Sequence, residues 1–162
     1  MKKCVFSGTF DPPTIGHCNV IENCLKIFDE VVVAVMVNPQ KAPLLTVEER
    51  LNLLKKLYDN ESKVKVRFFD GCAVDLLEEE NTPFYVRGVR NTVDYEYENA
   101  NFFANKKLKK DIITLYFPAE QESLHISSSL VKNSVKFNKE YGQYVPEKIL
   151  RDLRKLLEKK DV

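Results

Sequence analysis

The sequence predicts an α/β fold: a five-stranded parallel sheet with helices on both faces. Apolar runs of strand length alternate along the chain with segments whose apolar residues recur at helical spacing. No linker, repeat or low-complexity tract divides the 162 residues, which predicts one domain over residues 1–162. Strands that are separated by helices pair in parallel and leave the helices to cover the sheet.

The amino-terminal part of the chain supplies two strands and two helices. Lys2–Ser7 is an apolar run typical of a strand, and His17–Phe28 carries apolar residues along one helical face. Val31–Val37 contains five valines in seven residues, which indicates a strand buried on both faces. Asn38–Leu45 is a proline-bearing loop. Thr46–Leu57 is expected to be helical because threonine followed three residues later by glutamate has the spacing of a capping box.

The remainder continues the alternation. Val64–Phe69 is a third strand, Ala73–Glu80 a short helix, and Phe84–Val86 a short strand that ends where an arginine and a glycine follow. A longer helix rich in tyrosine, phenylalanine and asparagine and a fifth strand come next, at Thr92–Leu108 and Ile112–Phe117. Two closing helices are expected at Ser127–Phe137 and Pro146–Glu158. The expected architecture is therefore Rossmann-like.

Composition excludes several classes of function. Hydrophobic residues make up 44% and charged residues 30%, and a net charge of +1 gives no field that would favour nucleic acid. No apolar stretch approaches the roughly 18 residues of a membrane span, and the first apolar run is too short for a secretory signal. The four cysteines form no C-x-x-C motif, which favours buried, reduced thiols and a cytoplasmic location.

Polar residues follow every expected strand, and these loops open at one edge of a parallel sheet, where ligands bind. The turn after the first strand runs through Gly8 into a helix, whose amino-terminal N–H groups attract phosphate. Around it stand Lys41, Arg87, Arg90, the serines of 127–129 and the imidazole of His17. Such a set of donors without an activated nucleophile suits phosphoryl or nucleotidyl transfer. The sequence lacks both the Walker A and the G-x-G-x-x-G patterns.

Four segments carry a family resemblance: Gly8-Thr9-Phe10-Asp11-Pro12, Thr14-Ile15-Gly16-His17, Arg87-Gly88-Val89-Arg90, and Ile126-Ser127-Ser128-Ser129-Leu130-Val131-Lys132. In order and spacing they resemble the bacterial phosphopantetheine adenylyltransferases, of the nucleotidyltransferase superfamily marked by [HT]-x-G-H. The resemblance implies that ATP and 4′-phosphopantetheine give dephospho-coenzyme A and pyrophosphate, with Mg²⁺, by in-line attack without a covalent enzyme intermediate. It also implies a homohexamer and feedback by coenzyme A. It leaves the ligands of the metal unknown.

The resemblance also implies roles for individual residues. His17 would stabilise the transition state. Residues that would hold ATP are Thr9, Phe10, His17, Gly88, Val89, Arg90, Glu98, Ser123, Leu124, His125, Ile126, Ser127, Ser128 and Ser129. Residues that would hold phosphopantetheine are Thr9, Lys41, Ala73 and Arg87. The chain departs from the family where Ser7 replaces a common proline and at Gly71 and Ala73.

Other interpretations remain open from the residues alone. A related nucleotidyltransferase could use nicotinamide mononucleotide or make a cytidine diphosphate compound, although the Ser-Ser-Ser-Leu-Val-Lys segment argues against both. A nucleotide-binding regulator would need the donors but not His17. Arg87 and Arg90 could instead be structural partners of Asp94 or Glu96, and the serines could simply cap a helix. The aromatic residues of 92–108 favour core or subunit contact over base stacking, and a scaffold protein has no further support.

Overall fold

The computed structural model describes residues 1–40 and 42–160 and confirms the five-stranded parallel sheet. The strands are β1 (Lys3–Gly8), β2 (Glu30–Val35), β3 (Val64–Phe68), β4 (Phe84–Val89) and β5 (Ile113–Pro118). They lie in the order β3-β2-β1-β4-β5, with all neighbours parallel. The direction of winding therefore changes between β1 and β4, which is where an open α/β sheet forms a crevice at its carboxyl edge.

Helices connect the strands as expected. They are α1 (Ile15–Leu25), α2 (Val47–Leu57), α3 (Ala73–Glu79), α4 (Thr92–Leu108), α5 (Ser128–Lys136) and α6 (Glu147–Glu158). The structure adds two 3₁₀ turns that the sequence pattern does not indicate, Gln121–Ser123 and Gly142–Tyr144. One-turn helices have too few residues to show a hydrophobic period.

The fourth strand is longer than expected. Arg87, Gly88 and Val89 belong to β4 and pair with residues 116–118 of β5, rather than forming a loop. A glycine inside a strand is tolerated where another element approaches closely. A Cβ atom on Gly88 would stand 2.9 Å from Cγ2 of Val20 in α1, so the absence of a side chain lets the helix approach the strand.

The core has a layer on each face of the sheet. On one face, residues of β1 and β2 pack against α1 and α2, with Phe6, Val33 and Ile21 at the centre. On the other face, Val5 and Val32 pack against α3. Every residue of β2 after Glu30 is buried, as the valine run indicates.

A third apolar cluster joins α5 and α6 to α2. In α6 the side chains of Ile149, Leu153 and Leu157 are buried, one to two turns apart, and charged residues cover the other face.

Cys4 and Cys24 are buried, but Cys72 is exposed, so the expectation of buried thiols is wrong for that residue. Within residues 1–40 and 42–160, no helix combines the length and the apolar character that crossing a membrane requires.

Candidate active site

The turn from β1 into α1 forms the floor of the candidate site. It follows Gly8, and Phe10 adopts a left-handed backbone conformation with φ of 48°, which is uncommon for a residue with a bulky side chain. The Phe10 residue is wholly buried, and its ring packs edge-on against Phe6 at 5.5 Å between centroids. A Cβ atom on Gly8 would stand 3.3 Å from this ring, so glycine accommodates the Phe10 side chain.

His17 lies in the first turn of α1, with its ring 4.8 Å from that of Phe10. The backbone N–H of Thr14 donates to Nδ1 of His17 at 3.0 Å. An amide can only donate, so Nδ1 must accept, and the neutral imidazole carries its proton on Nε2. The turn therefore presents a neutral N–H donor of defined orientation.

The electrostatic surroundings keep His17 neutral. Burial, which is the largest cause, and the positive charges of Arg90 and Arg87 together lower the pKa of His17 from 6.5 to about 4. The effect of these two charges shows that the imidazole and the arginine pair occupy one electrostatic region. At neutral pH the ring is thus a hydrogen-bond donor and not a cation.

Arg87 extends from β4 and is held from two sides. Its Nε and one terminal nitrogen donate to the carboxylate of Glu98 in α4, at 2.8 and 2.6 Å. Its other terminal nitrogen donates to the carbonyl oxygen of Ser7 at 2.6 Å. The hydroxyls of Ser7 and Tyr85 bond to each other at 2.7 Å and lie 3.4–3.5 Å from the same nitrogen. A guanidinium has five N–H donors, and four of them have acceptors here, so one N–H, on the terminal nitrogen that also bonds to Glu98, remains for a ligand.

Both arginines that the sequence predicts for the site are paired with carboxylates. Besides the Arg87–Glu98 pair, Nε and a terminal nitrogen of Arg90 donate to Asp94 at 2.8 and 3.0 Å. The structural pairing of Arg90 with Asp94 is confirmed, whereas Arg87 pairs with Glu98 and not with Glu96 or Asp94. The hydrogen bonds from Arg90 hold the pKa of Asp94 below its usual value, although burial of the carboxylate acts in the opposite direction.

The serine segment joins α5 to the same edge. Ser127 caps α5 by accepting from the N–H of Leu130 at 3.0 Å, which confirms the capping interpretation. The hydroxyl of Ser128 donates to the carbonyl of Pro12 at 2.8 Å. Buried Ser123 accepts from the side-chain amide of Asn19 in α1 at 3.1 Å. These contacts hold the segment 123–128 beside the first turn of α1.

Two anchoring residues were missed by sequence reasoning. The buried carboxylate of Asp11 accepts from the N–H groups of Leu44 and Leu45 and from Nζ of Lys132, at 2.6–2.9 Å. Arg50 of α2 is also buried and donates to the carbonyl of Thr9 at 3.0 Å. A sequence signal existed for Arg50, since it stands among the apolar positions of an amphipathic helix. For Asp11, its place inside the glycine-containing turn was the only signal.

The structure thus connects most of the residues singled out from the sequence, through direct contacts or through α1. Brought together at this edge are Thr9, Phe10, His17, Arg87, Gly88, Val89, Arg90, Glu98, Ser123, Ile126, Ser127 and Ser128. Leu124, His125 and Ser129 are exposed, and the ring of His125 packs against Tyr144 at 5.6 Å. Ala73 begins α3 on the other layer of the core. Lys41 lies outside the described residues.

Comparisons with known proteins agree with this geometry. A family described as cytidylyltransferase-like matches residues 5–134. The phosphopantetheine adenylyltransferase of Nautilia profundicola is 36% identical over 151 residues, which cover 93% of this chain and 98% of that protein. That of Clostridium botulinum is 36% identical over 160 residues, covering 99% and 98%. That of Lachnoclostridium phytofermentans is 39% identical over 151 residues, covering 93% of each.

A solved structure shares the fold. A protein from Vibrio parahaemolyticus, described as a nicotinate-nucleotide adenylyltransferase, superposes with a TM-score of 0.72 over 94% of this chain and 99% of its own. Its sequence is 23% identical, so this likeness supports the Rossmann-like fold and not a substrate. The identity and the coverage of the curated relatives go further: the chain belongs to the phosphopantetheine adenylyltransferase family, among the cytidylyltransferase-like nucleotidyltransferases.

Proposed function

We propose that this protein, as one nucleotidyltransferase domain over residues 1–162, transfers the adenylyl group of ATP to 4′-phosphopantetheine. A phosphate oxygen of phosphopantetheine bonds to the α-phosphorus of ATP. The bond from that phosphorus to the bridging oxygen breaks, and its electron pair leaves with pyrophosphate. The products are dephospho-coenzyme A and pyrophosphate. The observation that carries the proposal is near-full-length similarity to curated enzymes of this name, together with a neutral imidazole N–H beside two arginines.

The reaction requires no nucleophilic side chain from the enzyme. The attacking phosphate is already ionised, so no general base is required, and the protein positions reactants and stabilises charge. His17 donates from Nε2 to the oxygen of the transferring phosphorus, where negative charge develops. Because its pKa is about 4, the ring is neutral at neutral pH and acts as a hydrogen-bond donor that keeps its Nε2 proton.

The binding roles are proposed residue by residue. ATP lies along Thr9, Phe10 and His17, with its phosphates near Arg90 and its remainder along Gly88, Val89, Glu98 and residues 123–129. Phosphopantetheine lies near Thr9, Arg87, Ala73 and Lys41. Support comes from the one unused N–H donor of Arg87 and from the position of Ser127 and Ser128 beside the first turn of α1. Glu98 supports Arg87 directly, so its role for ATP includes holding that cation.

Mg²⁺ fits this site as an ion carried by the nucleotide. Among the residues that the structure describes, no group of three His, Cys, Asp or Glu side chains could hold a metal. The nearby carboxylates of Asp11, Asp94 and Glu98 are each paired with a cation. Mg²⁺ commonly takes its ligands from substrate phosphates and water. It would neutralise charge on the leaving pyrophosphate.

The decisive experiment is acceptor-dependent release of pyrophosphate. The purified protein is incubated with ATP and either 4′-phosphopantetheine or nicotinamide mononucleotide, and in parallel with CTP in place of ATP. We expect release with ATP and phosphopantetheine only. Turnover with nicotinamide mononucleotide instead would assign the protein to a neighbouring branch, and ATP binding without turnover would identify a regulator.

The family resemblance also implies an oligomeric state, a feedback ligand and a cellular location for this protein. We propose a homohexamer that acts in the cytoplasm and binds coenzyme A as a feedback ligand. Support for self-association comes from α4, which exposes Val93, Tyr97 and Leu108 on one side. The aromatic residues of this helix are expected in the core or at a subunit contact. Tyr97 and Phe103 are about 60% exposed and Tyr95 is 47% exposed, so subunit contact is the proposal for these three.

A further inference from the structure

Arg50 is a buried cation with an unusual set of partners. It belongs to α2, on the side of that helix that also carries Leu53 and Leu54, and only 4% of it is exposed. Its Nε donates to the carbonyl oxygen of Thr46, at the start of its own helix, at 3.2 Å. One terminal nitrogen donates to the carbonyl oxygen of Thr9 at 3.0 Å. A buried arginine is costly unless its donors are used, so its contact with the turn after β1 calls for a reason.

The geometry of the peptide bond supplies that reason. The bond between Thr9 and Phe10 is trans, and in a planar trans peptide the carbonyl and the following N–H point in opposite directions. Because Arg50 holds the Thr9 carbonyl towards α2, the N–H of Phe10 points away from α2.

The N–H of Phe10 has no acceptor among the described residues, although Phe10 is fully buried. A buried backbone donor without a partner costs about 1–3 kcal/mol and is rare in folded proteins. Phe10 also has its strained φ of 48°, and its ring lies against that of His17. The unpaired N–H and the strained backbone therefore belong to the same residue, Phe10, which contacts the proposed catalytic ring of His17.

We propose that Arg50 is a positioning residue: by holding the Thr9 carbonyl, it orients the Phe10 N–H as a donor to a phosphate oxygen of the nucleotide. Arg50 acts through the peptide and does not touch substrate. The guanidinium makes a charge-assisted bond, which is about twice as strong as a neutral one and can hold the peptide against rotation. The inference rests on the proposed function only in taking ATP as the nucleotide.

Two substitutions separate positioning from packing. Arg50→Met keeps much of the volume but loses both bonds, and Arg50→Lys keeps the charge but has a single nitrogen with which to replace the two bonds. Arg67→Met is the matched control, because Arg67 is half-buried and bonds to Glu79 and Glu80 at the far end of α3. For each protein we would measure thermal stability, kcat, both KM values, and ATP affinity by calorimetry without acceptor. The amide resonance of Phe10 would be followed in ¹⁵N-labelled protein as ATP is added.

In wild type the Phe10 amide resonance should shift downfield as ATP binds. Arg50→Met should lower kcat/KM for ATP at least tenfold, within the range for loss of one preorganised donor. The KM for phosphopantetheine should stay within about twofold, and Arg50→Lys should recover part of the loss. Arg67→Met should retain wild-type kinetics. If Arg50→Met does not fold, Arg50→Lys must still show a smaller Phe10 shift than wild type.

Two results would overturn the inference. One is an unmoved Phe10 amide in wild type while other resonances report ATP binding. The other is an Arg50 variant whose stability falls but whose kcat and KM values per folded molecule are those of wild type. The ATP measurements need no acceptor, so a wild type that binds ATP with a shifted Phe10 amide but does not use phosphopantetheine would refute the proposed function and leave this inference standing.

Discussion

At the scale of single residues, the ring of His17 has its two nitrogens assigned to different tasks. Nδ1 is occupied by the Thr14 N–H, which leaves the Nε2 proton for the reaction. His17→Ala removes that donor while most ATP contacts remain. We therefore expect kcat to fall by about 10²–10³ with ATP affinity within a few-fold of wild type. Steady-state kinetics and calorimetry would test this, and a variant with unchanged kcat would remove His17 from the mechanism.

The same ring makes a prediction about stability. An unfolded histidine titrates near 6.5, whereas the pKa of His17 in the fold is about 4. Below pH 6.5 the unfolded state takes up a proton that the folded state does not. The stabilisation from His17 is therefore complete above pH 6.5 and decreases as the pH falls towards 4, by up to roughly 3 kcal/mol.

Denaturant unfolding of wild type and His17→Asn at several pH values isolates this effect. The carboxylates titrate in both proteins, so only the difference between the two curves reports on His17. The excess free energy of unfolding of wild type over the variant should decrease between pH 6.5 and 4. A constant difference over that window would show that the folded pKa is not lowered.

At the scale of elements, one ion pair joins α4 to the sheet. Glu98 is the only buried residue of the described helix α4, and its carboxylate bonds to Arg87 of β4. Removing one partner of a largely buried pair leaves the other charge uncompensated. We expect Glu98→Ala to lower the free energy of unfolding by about 2–4 kcal/mol, measured by denaturant titration.

The exposed pair Lys148–Asp59 is the matched control, and Asp59→Ala should leave the free energy of unfolding close to that of wild type. The double substitution Arg87→Met with Glu98→Leu should regain most of the stability, because an apolar pair can replace a buried ion pair. Adenylyl transfer should stay impaired in that protein, since Arg87 is lost. Restored activity would assign Arg87 a purely structural role.

The sequence pattern predicts the strands and helices better than it predicts the contacts between them. Apolar periodicity located every strand and every helix longer than one turn, since it reflects which face is buried. It could not show that β4 continues through Gly88, because that depends on how closely Val20 approaches. Nor could it reveal the roles of Asp11 and Arg50. Their partners, at Leu44 and Thr9, are more than thirty residues away and meet them only in the fold.

At the scale of the whole molecule, an exposed stripe on α4 has the character of a contact surface. Val93, Tyr97 and Leu108 lie four and eleven residues apart, which places them on one side of a helix, and each is more than 60% exposed. Contiguous exposed apolar surface commonly marks an interface, and closed symmetric assemblies are the usual result in homo-oligomers.

Light scattering coupled to size-exclusion chromatography tests this assembly. Wild type should elute with six times the monomer mass. Introducing Tyr97→Lys with Leu108→Lys places two charges in the stripe, and desolvating them on association is unfavourable, so the assembly should dissociate into smaller species. Ile27→Lys, on an apolar side chain that is 52% exposed and outside α4, is the control and should keep the wild-type mass. A doubly charged variant that remains hexameric would place the interface elsewhere, and a monomeric wild type would contradict the proposed assembly.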